Sequence, residues 1–446
     1  MSIPQGLQTS LNAIRETLIS SNTLYAEQID EILPTSDIGS FASPLLQYPS
    51  LMNAFISQLA QKIVYTQVDI KLFRNPLQVL EGDELPIGAI GEEIYVNPAK
   101  GRRFNVDDFA GLLAKYEADV KVQYMHLNSD IQYPVTITRA KLKDAFTSWD
   151  SLNSFIDGIT QSLYNGAYID RYNMTKALVS SAYAGNNVQI ETISAISSEA
   201  TAKSFLQKAR ELFLNFQLPS SKYNAWNKVG GYGRAIKSWT NKEDIVLLLR
   251  NDIASYIDVN VLASAFNIDK ATLMGNIIYV DDFDVYQDDE KVIDGSAIYG
   301  IIADKRWFRI RPQELVMDEF YNANNRTWQM YLNDVRMYQY SLFSNAVVFA
   351  TSMPTVKATA IEFVDDTAFE IEEGAEAIRK VKLTPVNATS TVTFTSSAGT
   401  KVKVTKIDDR TCKIEGLDAD ATPATITATC ETSLTDTISV TCVAGT

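Results

Sequence analysis

SWDSLNSFIDGITQSLYNGAYIDRYNMTKALVSSAY, residues Ser148 to Tyr183, brings Leu152, Phe155, Ile156, Ile159, Leu163 and Ala167 onto one face at helical spacing, with Asn, Asp and Gln elsewhere. The pattern predicts one unusually long amphipathic helix that runs through Gly158 and Gly166. Upstream, Leu7, Leu11, Ile14 and Leu18, then Tyr25, Ile29 and Leu33, also follow a helical period, so the chain is expected to open with amphipathic helix, an arm with a sticky face. Between these helices the period changes. VYTQVDIKLF (64–73) and YEADVKVQYMHLN (116–128) alternate like strands, and the intervening NPLQVLEGDELPIGAIGEEIYVNPAKGRR is rich in Pro, Gly and charge. Two long strands joined in this way predict a projecting hairpin or loop.

Downstream, helices are expected over Glu199 to Phe216, Lys242 to Leu249 and Val259 to Phe266. GNIIYVDDF, AIYGIIADKRWFRI and NAVVFATS read as strands, and the aromatic-rich RTWQMYLNDVRMYQYSLF (Arg326 to Phe343) as a strand pair in the core. A long helix, strands and a projecting hairpin together indicate an α+β domain whose extended parts cannot bury themselves within one subunit. Such a chain is expected to oligomerise. Near Met353-Pro354 the composition shifts: all five tryptophans and all twenty-one tyrosines precede the boundary, while residues 355–446 carry twenty threonines in ninety-two positions. Short alternating runs such as KVKLTPV, TKVKVTKI and TISVTCV, separated by turn residues, predict a small antiparallel β-sandwich there.

Forty basic against fifty-four acidic side chains in 446 residues give a formal net charge of -14, the wrong sign for gripping nucleic acid through counterion release. Contact with DNA or RNA is expected to be weak or confined to a patch. A single histidine, His126, removes the commonest general base and the two-histidine metal motifs; its place in VKVQYMHLN suggests a residue bordering a sheet. Cys412, Cys430 and Cys442 read as buried, reduced thiols, and MSIPQGLQTSLNAIRETL lacks the form of a signal peptide, so a cytosolic product is expected. The acidic run VDDFDVYQDDEKVID (Asp281, Asp282, Asp284, Asp288, Asp289, Glu290) lacks the spacing of a calcium loop and reads as a solvated loop. VGGYGRA (Val229 to Ala235) lacks both phosphate-loop fingerprints and reads as a turn. No nucleophile motif is present, and no cofactor, metal or enzymatic activity is expected. Glu92 and Glu93 are loop charges able to pair with Arg74, Arg102 or Arg103 of the same or a neighbouring subunit, and these five are the candidate inter-subunit contacts.

The blocks NPLQVLEGDELPIGAIGEEIYV, LKDAFTSWDSLNSFIDGITQSLYN, DIASYIDVNVLASAFNIDKATLMGNIIYVDDF, IIADKRWF and FSNAVVFATSMP, in this order, closely resemble the major capsid proteins of small short-tailed phages of the phi-twenty-nine type. KLTPVNATSTVTFTSSAGTKVKVTKIDD and ATITATC resemble a bacterial immunoglobulin-like domain of group 2. The resemblance implies a Hong Kong 97-like phage capsid fold over 1–354, with an N-terminal arm (1–60), an extended loop (65–138), a spine helix (148–183) and axial and peripheral domains (185–343), followed by an Ig-like sandwich (355–446). It implies a major capsid protein that self-assembles into pentamers and hexamers of an icosahedral shell enclosing double-stranded DNA. The implied partners are other copies of itself, a scaffolding protein, a portal or connector and non-specifically packaged DNA. The Ig-like tail adds weak cell-surface or carbohydrate contact, and no membrane is implied. The implied location is the virion, with the host cytoplasm during assembly. The alternative, suggested by the tail alone, is a bacterial surface or adhesion protein.

Overall fold

The computed structural model describes residues 3, 5–65, 72–101, 115, 117–229, 235–256, 276–287, 290–431 and 433–445. They fall into two compact units. The first comprises Met1–Glu92, Tyr124–Thr175 and Arg309–Gln339, and the second Glu93–Gln123, Lys176–Phe308 and Tyr340–Thr446.

In the first unit the heptad-like spacing of apolar residues near the N-terminus gives α1 (Gln5–Ser20), α2 (Ile38–Gln47, N-capped by Asp37) and α3 (Pro49–Tyr65). Leu7, Leu11, Ile14 and Leu18 of α1 are all buried, in the same core as Phe41, Phe55 and Leu152. The sticky face expected of an arm is therefore covered by its own chain. VYTQVDIKLF does not begin as a strand, because α3 continues to Tyr65; residues 66–71 lie outside the described residues. The helix expected over 148–183 is α5 (Trp149–Ala184), preceded by the short α4 (Arg139–Ala145). Leu152, Ile159, Leu163 and Ala167 of α5 line the first unit's core.

The sheet of this unit has three strands in the order β10 (Phe308–Asn322), β11 (Thr327–Tyr340), β3 (Ser129–Thr138). β11 is one long strand where a strand pair was expected. Its alternating burial places Trp328, Met330 and Leu332 in the core, and it pairs antiparallel with β3, Leu332 opposite Tyr133.

In the second unit a mixed five-stranded sheet runs β4 (Gln189–Thr192), β12 (Ala346–Ala350), β9 (Ile298–Asp304), β5 (Ile245–Arg250), β6 (Asn276–Val280). The helix expected over Lys242 to Leu249 is a correction: a 3-10 turn at Lys242–Asp244 leads into β5. Ile245 to Leu249 are all buried, and a strand covered on both faces has no alternation by which sequence distinguishes it from a buried helix. Gly300 of β9 is required here, since a Cβ would lie 2.4 Å from Leu248 O. The helix α6 (Glu199–Asn215) covers this sheet, Phe205 meeting Phe349 edge-on with centroids 5.0 Å apart. The helix expected at Val259 to Phe266 lies outside the described residues.

Residues 360–443 form two four-stranded sheets around one core. One has the order β13 (Ala360–Phe363), β15 (Glu376–Thr384), β18 (Thr411–Gly416), β17 (Val402–Asp408). The other has the order β14 (Phe369–Glu372), β20 (Thr435–Val443), β19 (Asp420–Cys430), β16 (Val392–Ser396). β14 pairs parallel with β20, so the sandwich is mixed where an all-antiparallel one was expected. Cys412, Cys430 and Cys442 are buried in it, and burial pushes the Cys412 thiol up to about 11.

Within the first unit, Arg171 of α5 donates from Nε to Asp334 Oδ2 at 2.7 Å. Arg336 Nε lies 2.8 Å from Asp334 Oδ1, and Arg336 Nη1 lies 3.0 Å from Glu81 Oε2. The side chains of Arg171, Asp334 and Arg336 are 8%, 4% and 6% exposed. Removing one member of such a buried network strands the other charges without water. Asp334→Ala is therefore expected to cost about 3–5 kcal/mol in urea unfolding of the subunit, and a loss below about 1 kcal/mol shows that the network does not carry this weight.

Candidate assembly surface

GEEIYV and VKVQYM form a two-stranded sheet, β1 (Gly91–Val96) and β2 (Val120–Met125). Gly91 sits beside Met125, while the Asn97 N–H donates to Asp119 O at 2.9 Å, so the strands run antiparallel. Successive side chains point to opposite faces, and the two faces differ sharply.

One face is pinned within the second unit. The Glu93 carboxylate accepts from Ser341 Oγ at 3.0 Å, Tyr95 OH donates to Lys237 O, and Gln123 Nε2 donates to Tyr340 O at 2.9 Å. Gln123 Oε1 accepts the Leu342 N–H at 2.8 Å, and Asn97 Nδ2 donates to Asp119 Oδ2 at 2.8 Å. Side-chain bonds from both strands fix the position of the pair, because they reach Tyr340, Ser341 and Leu342 at and just past the end of β11 and Lys237 elsewhere in the unit, while the Asn97–Asp119 bond ties the two strands to each other. The opposite face is apolar and open: Ile94 is 57% exposed, Val96 53% and Val120 47%. Tyr124, further along β2, is also exposed. Three β-branched side chains facing water on an ordered strand pair form a surface of the kind that marks contact with another protein.

The candidate residues separate accordingly. Glu92 and Glu93 are neighbours in sequence but lie on opposite faces: Glu92 is exposed, whereas Glu93 faces inward and is engaged by Ser341. Arg74 is exposed in the segment before the 3-10 turn Pro76–Leu80. Arg102 and Arg103 lie outside the described residues, as do residues 230–234 of the glycine-rich stretch. His126 is exposed, just past the end of β2. The acidic run is partly neutralised: the buried Lys176 ammonium lies 2.6 Å from Asp281 and 3.1 Å from Asp282, and Lys291 lies 2.6 Å from Asp284. Among the described residues no group of three His, Cys, Asp or Glu side chains is placed to hold a metal ion. Sequence reading missed the exposed Ile94, Val96 and Val120. Their alternation was visible, but which face meets solvent depends on Ser341, Tyr340 and Lys237, more than a hundred residues away.

A model of the Phi29-like phage major capsid protein family matches residues 11–350. The chain belongs to this family. Similar relatives include the major capsid protein of Bacillus phage B103, 26% identical over 345 residues that cover 76% of this chain and 72% of that protein. Another is the major capsid protein of Bacillus phage GA-1, 27% identical over 350 residues, 78% of this chain and 70% of that one. Among solved structures, the capsid of Staphylococcus phage Andhra is similar with a TM-score of 0.52 at 15% identity, over 64% of this chain and 86% of that one. The last likeness shows a shared mixed helix-and-sheet capsid fold. The function is that of a phage major capsid protein, a structural subunit of the virion that self-associates into a multi-subunit shell. The family is not a family of enzymes. Residues 351–446 lie beyond the family match.

Proposed function

We propose that the subunits form pentamers and hexamers that close around a scaffolding protein, incorporate a portal, and fill with double-stranded DNA in the host cytoplasm. In this reading residues 1–60 serve as the N-terminal arm, 65–138 as the extended loop, 148–183 as the spine, and 185–343 as the axial and peripheral domains of a Hong Kong 97-like subunit. The observation that carries the reading is the two-faced strand pair β1–β2, held by Glu93, Tyr95 and Gln123 on one side and presenting Ile94, Val96 and Val120 on the other. A neighbouring copy buries that apolar face, with exposed Glu92 and Arg74 as rim charges whose ion pairs are each worth about 1 kcal/mol or less. The net charge of -14 suits a container wall, because an acidic lining does not hold DNA by counterion release. Residues 355–446 act as an Ig-like domain on the outside of the shell, where it does not compete with DNA for volume. There it makes weak contacts with carbohydrate or cell surface. Its two four-stranded sheets around one core support that assignment.

Negative-stain electron microscopy and sedimentation of the protein co-expressed with a phage scaffold are expected to show closed shells tens of nanometres across; persistent monomer overturns the reading. Aspartate at both Ile94 and Val96 is expected to leave helix and strand content unchanged by circular dichroism while shell yield falls at least roughly tenfold. Full yield from that double variant removes the strand pair from the contacts. A peptide tag added after Thr446 is expected to be bound by antibody on intact particles, and a tag reachable only after disruption puts the sandwich inside.

A further inference from the structure

The long helix ends at Gly185-Asn186-Asn187. Asn186 takes the left-handed conformation with φ 53°, and the N–H groups of Asn186 and Asn187 turn back to Tyr183 O and Ala182 O, each at 2.8 Å. Such a corner leaves carbonyls at the helix end in need of donors. One donor comes from two hundred residues away: Asn387, in the turn between β15 and β16, gives its amide nitrogen to Gly185 O and, at 2.7 Å, to Asn187 Oδ1. The exchange is reciprocal, since Asn186 Nδ2 donates to the backbone oxygen of Asn387 at 2.7 Å.

The orientation of these amides is fixed by their surroundings. Lys228 Nζ donates to Asn186 Oδ1 at 2.5 Å and to Val188 O at 2.8 Å, and an ammonium has only donors to give. The oxygen of Asn186 must therefore face Lys228, which turns its nitrogen to Asn387. Asn187 is oriented from the other side: the Asn387 nitrogen faces the Gly185 carbonyl and so offers Asn187 a donor, which takes its oxygen and leaves its Nδ2 to donate to Tyr340 OH at 3.0 Å. Burial pushes the Lys228 ammonium down to about 8, which leaves it charged at neutral pH.

A second attachment lies along the connecting segment. On the side of the five-stranded sheet, the Thr351 N–H donates to Ala297 O at 2.9 Å and Tyr183 OH to Ser352 O at 2.8 Å. On the sandwich side, the Val356 N–H donates to Thr389 Oγ1 and the Ala358 N–H to Ser390 Oγ, at 2.8 and 2.9 Å. Only residues 353–355 lie between the two sets of bonds.

We propose that Asn186, Asn187 and Asn387 form a clasp that docks the C-terminal sandwich onto the end of the long helix, so that the sandwich is a fixed part of each wall subunit and is presented in one pose by every copy. Lys228 is a positioning residue that acts through Asn186. The partner of the helix end is thus the chain's own C-terminal domain.

The test uses full-length assembled shells with Asn387→Ala and, separately, Asn186→Gly. The second variant lies outside the sandwich and keeps the positive φ that glycine adopts freely, so misfolding of the sandwich does not explain a shared result. Two readouts are compared with wild type: the rate of tryptic cleavage after exposed Lys357, followed by mass spectrometry of the released 358–446 fragment, and the averaged electron-microscopic density of the sandwich relative to the wall. Both variants are expected to be cut roughly tenfold faster and to lose sandwich density while wall density is retained. Wild-type cleavage rates in both variants, or sandwich density already smeared in wild-type shells, overturn the clasp.

Discussion

One buried carboxylate, Asp334, holds the long helix to the sheet of its own unit. Arg171 projects from α5 and Arg336 from β11; without Asp334 the Arg171 guanidinium loses its carboxylate in the protein interior and Arg336 keeps only Glu81. A hydrophobic contact in the same place would stabilise about as well, but it would tolerate sliding of a smooth helix along a smooth sheet. An Arg–Asp–Arg arrangement with Glu81 beyond it has one satisfactory register. A long helix transmits a small error at one end into a large displacement at the other, so a directional contact near residue 171 suits an element of 36 residues. On this reading the network serves register at least as much as stability.

The parts outside that core follow a different logic. A subunit that must meet several neighbours keeps apolar surface uncovered in its free form, and a strand pair does this economically because its period of two separates an anchored face from an open one. β1–β2 uses this division: polar side chains on the inner face find backbone partners at Tyr340, Leu342 and Lys237, and the aliphatic ones are left outward. The net charge of -14 on every copy opposes close approach, and screening by salt favours association.

The α5 helix was legible because the apolar residues from Leu152 to Ala167 keep a period of 3.6 that no strand pattern fits. β5 was not, since Ile245 to Leu249 is apolar at every position and only its neighbours β9 and β6 decide between helix and strand. VYTQVDIKLF (64–73) alternates as a strand does, yet its first two residues close α3, where packing of Phe55, Ile56 and Leu59 into the core overrides the local preference. For the surface, adjacency in sequence grouped Glu92 with Glu93 although strand geometry puts them on opposite sides. The family resemblance, carried by separated blocks in a fixed order, supplied what residue chemistry did not, because a wall protein has no catalytic constellation to recognise.

The sandwich lies beyond the family match and yet is bonded to a helix that lies within it. A connecting segment with three free residues keeps the sandwich at an effective concentration near its docking site of about millimolar or more, so the clasp needs little intrinsic affinity to stay closed. A few hydrogen bonds of about 1 kcal/mol net each are sufficient where they would fail between separate molecules. Amides of fixed geometry, such as those of Asn186, Asn187 and Asn387, are sufficient for a tethered contact of this kind. The geometry of the corner, including left-handed Asn186 and the Lys228 ammonium that orients it, sets where the sandwich points, while the tether sets how often it is there. Direction and occupancy thus come from different residues.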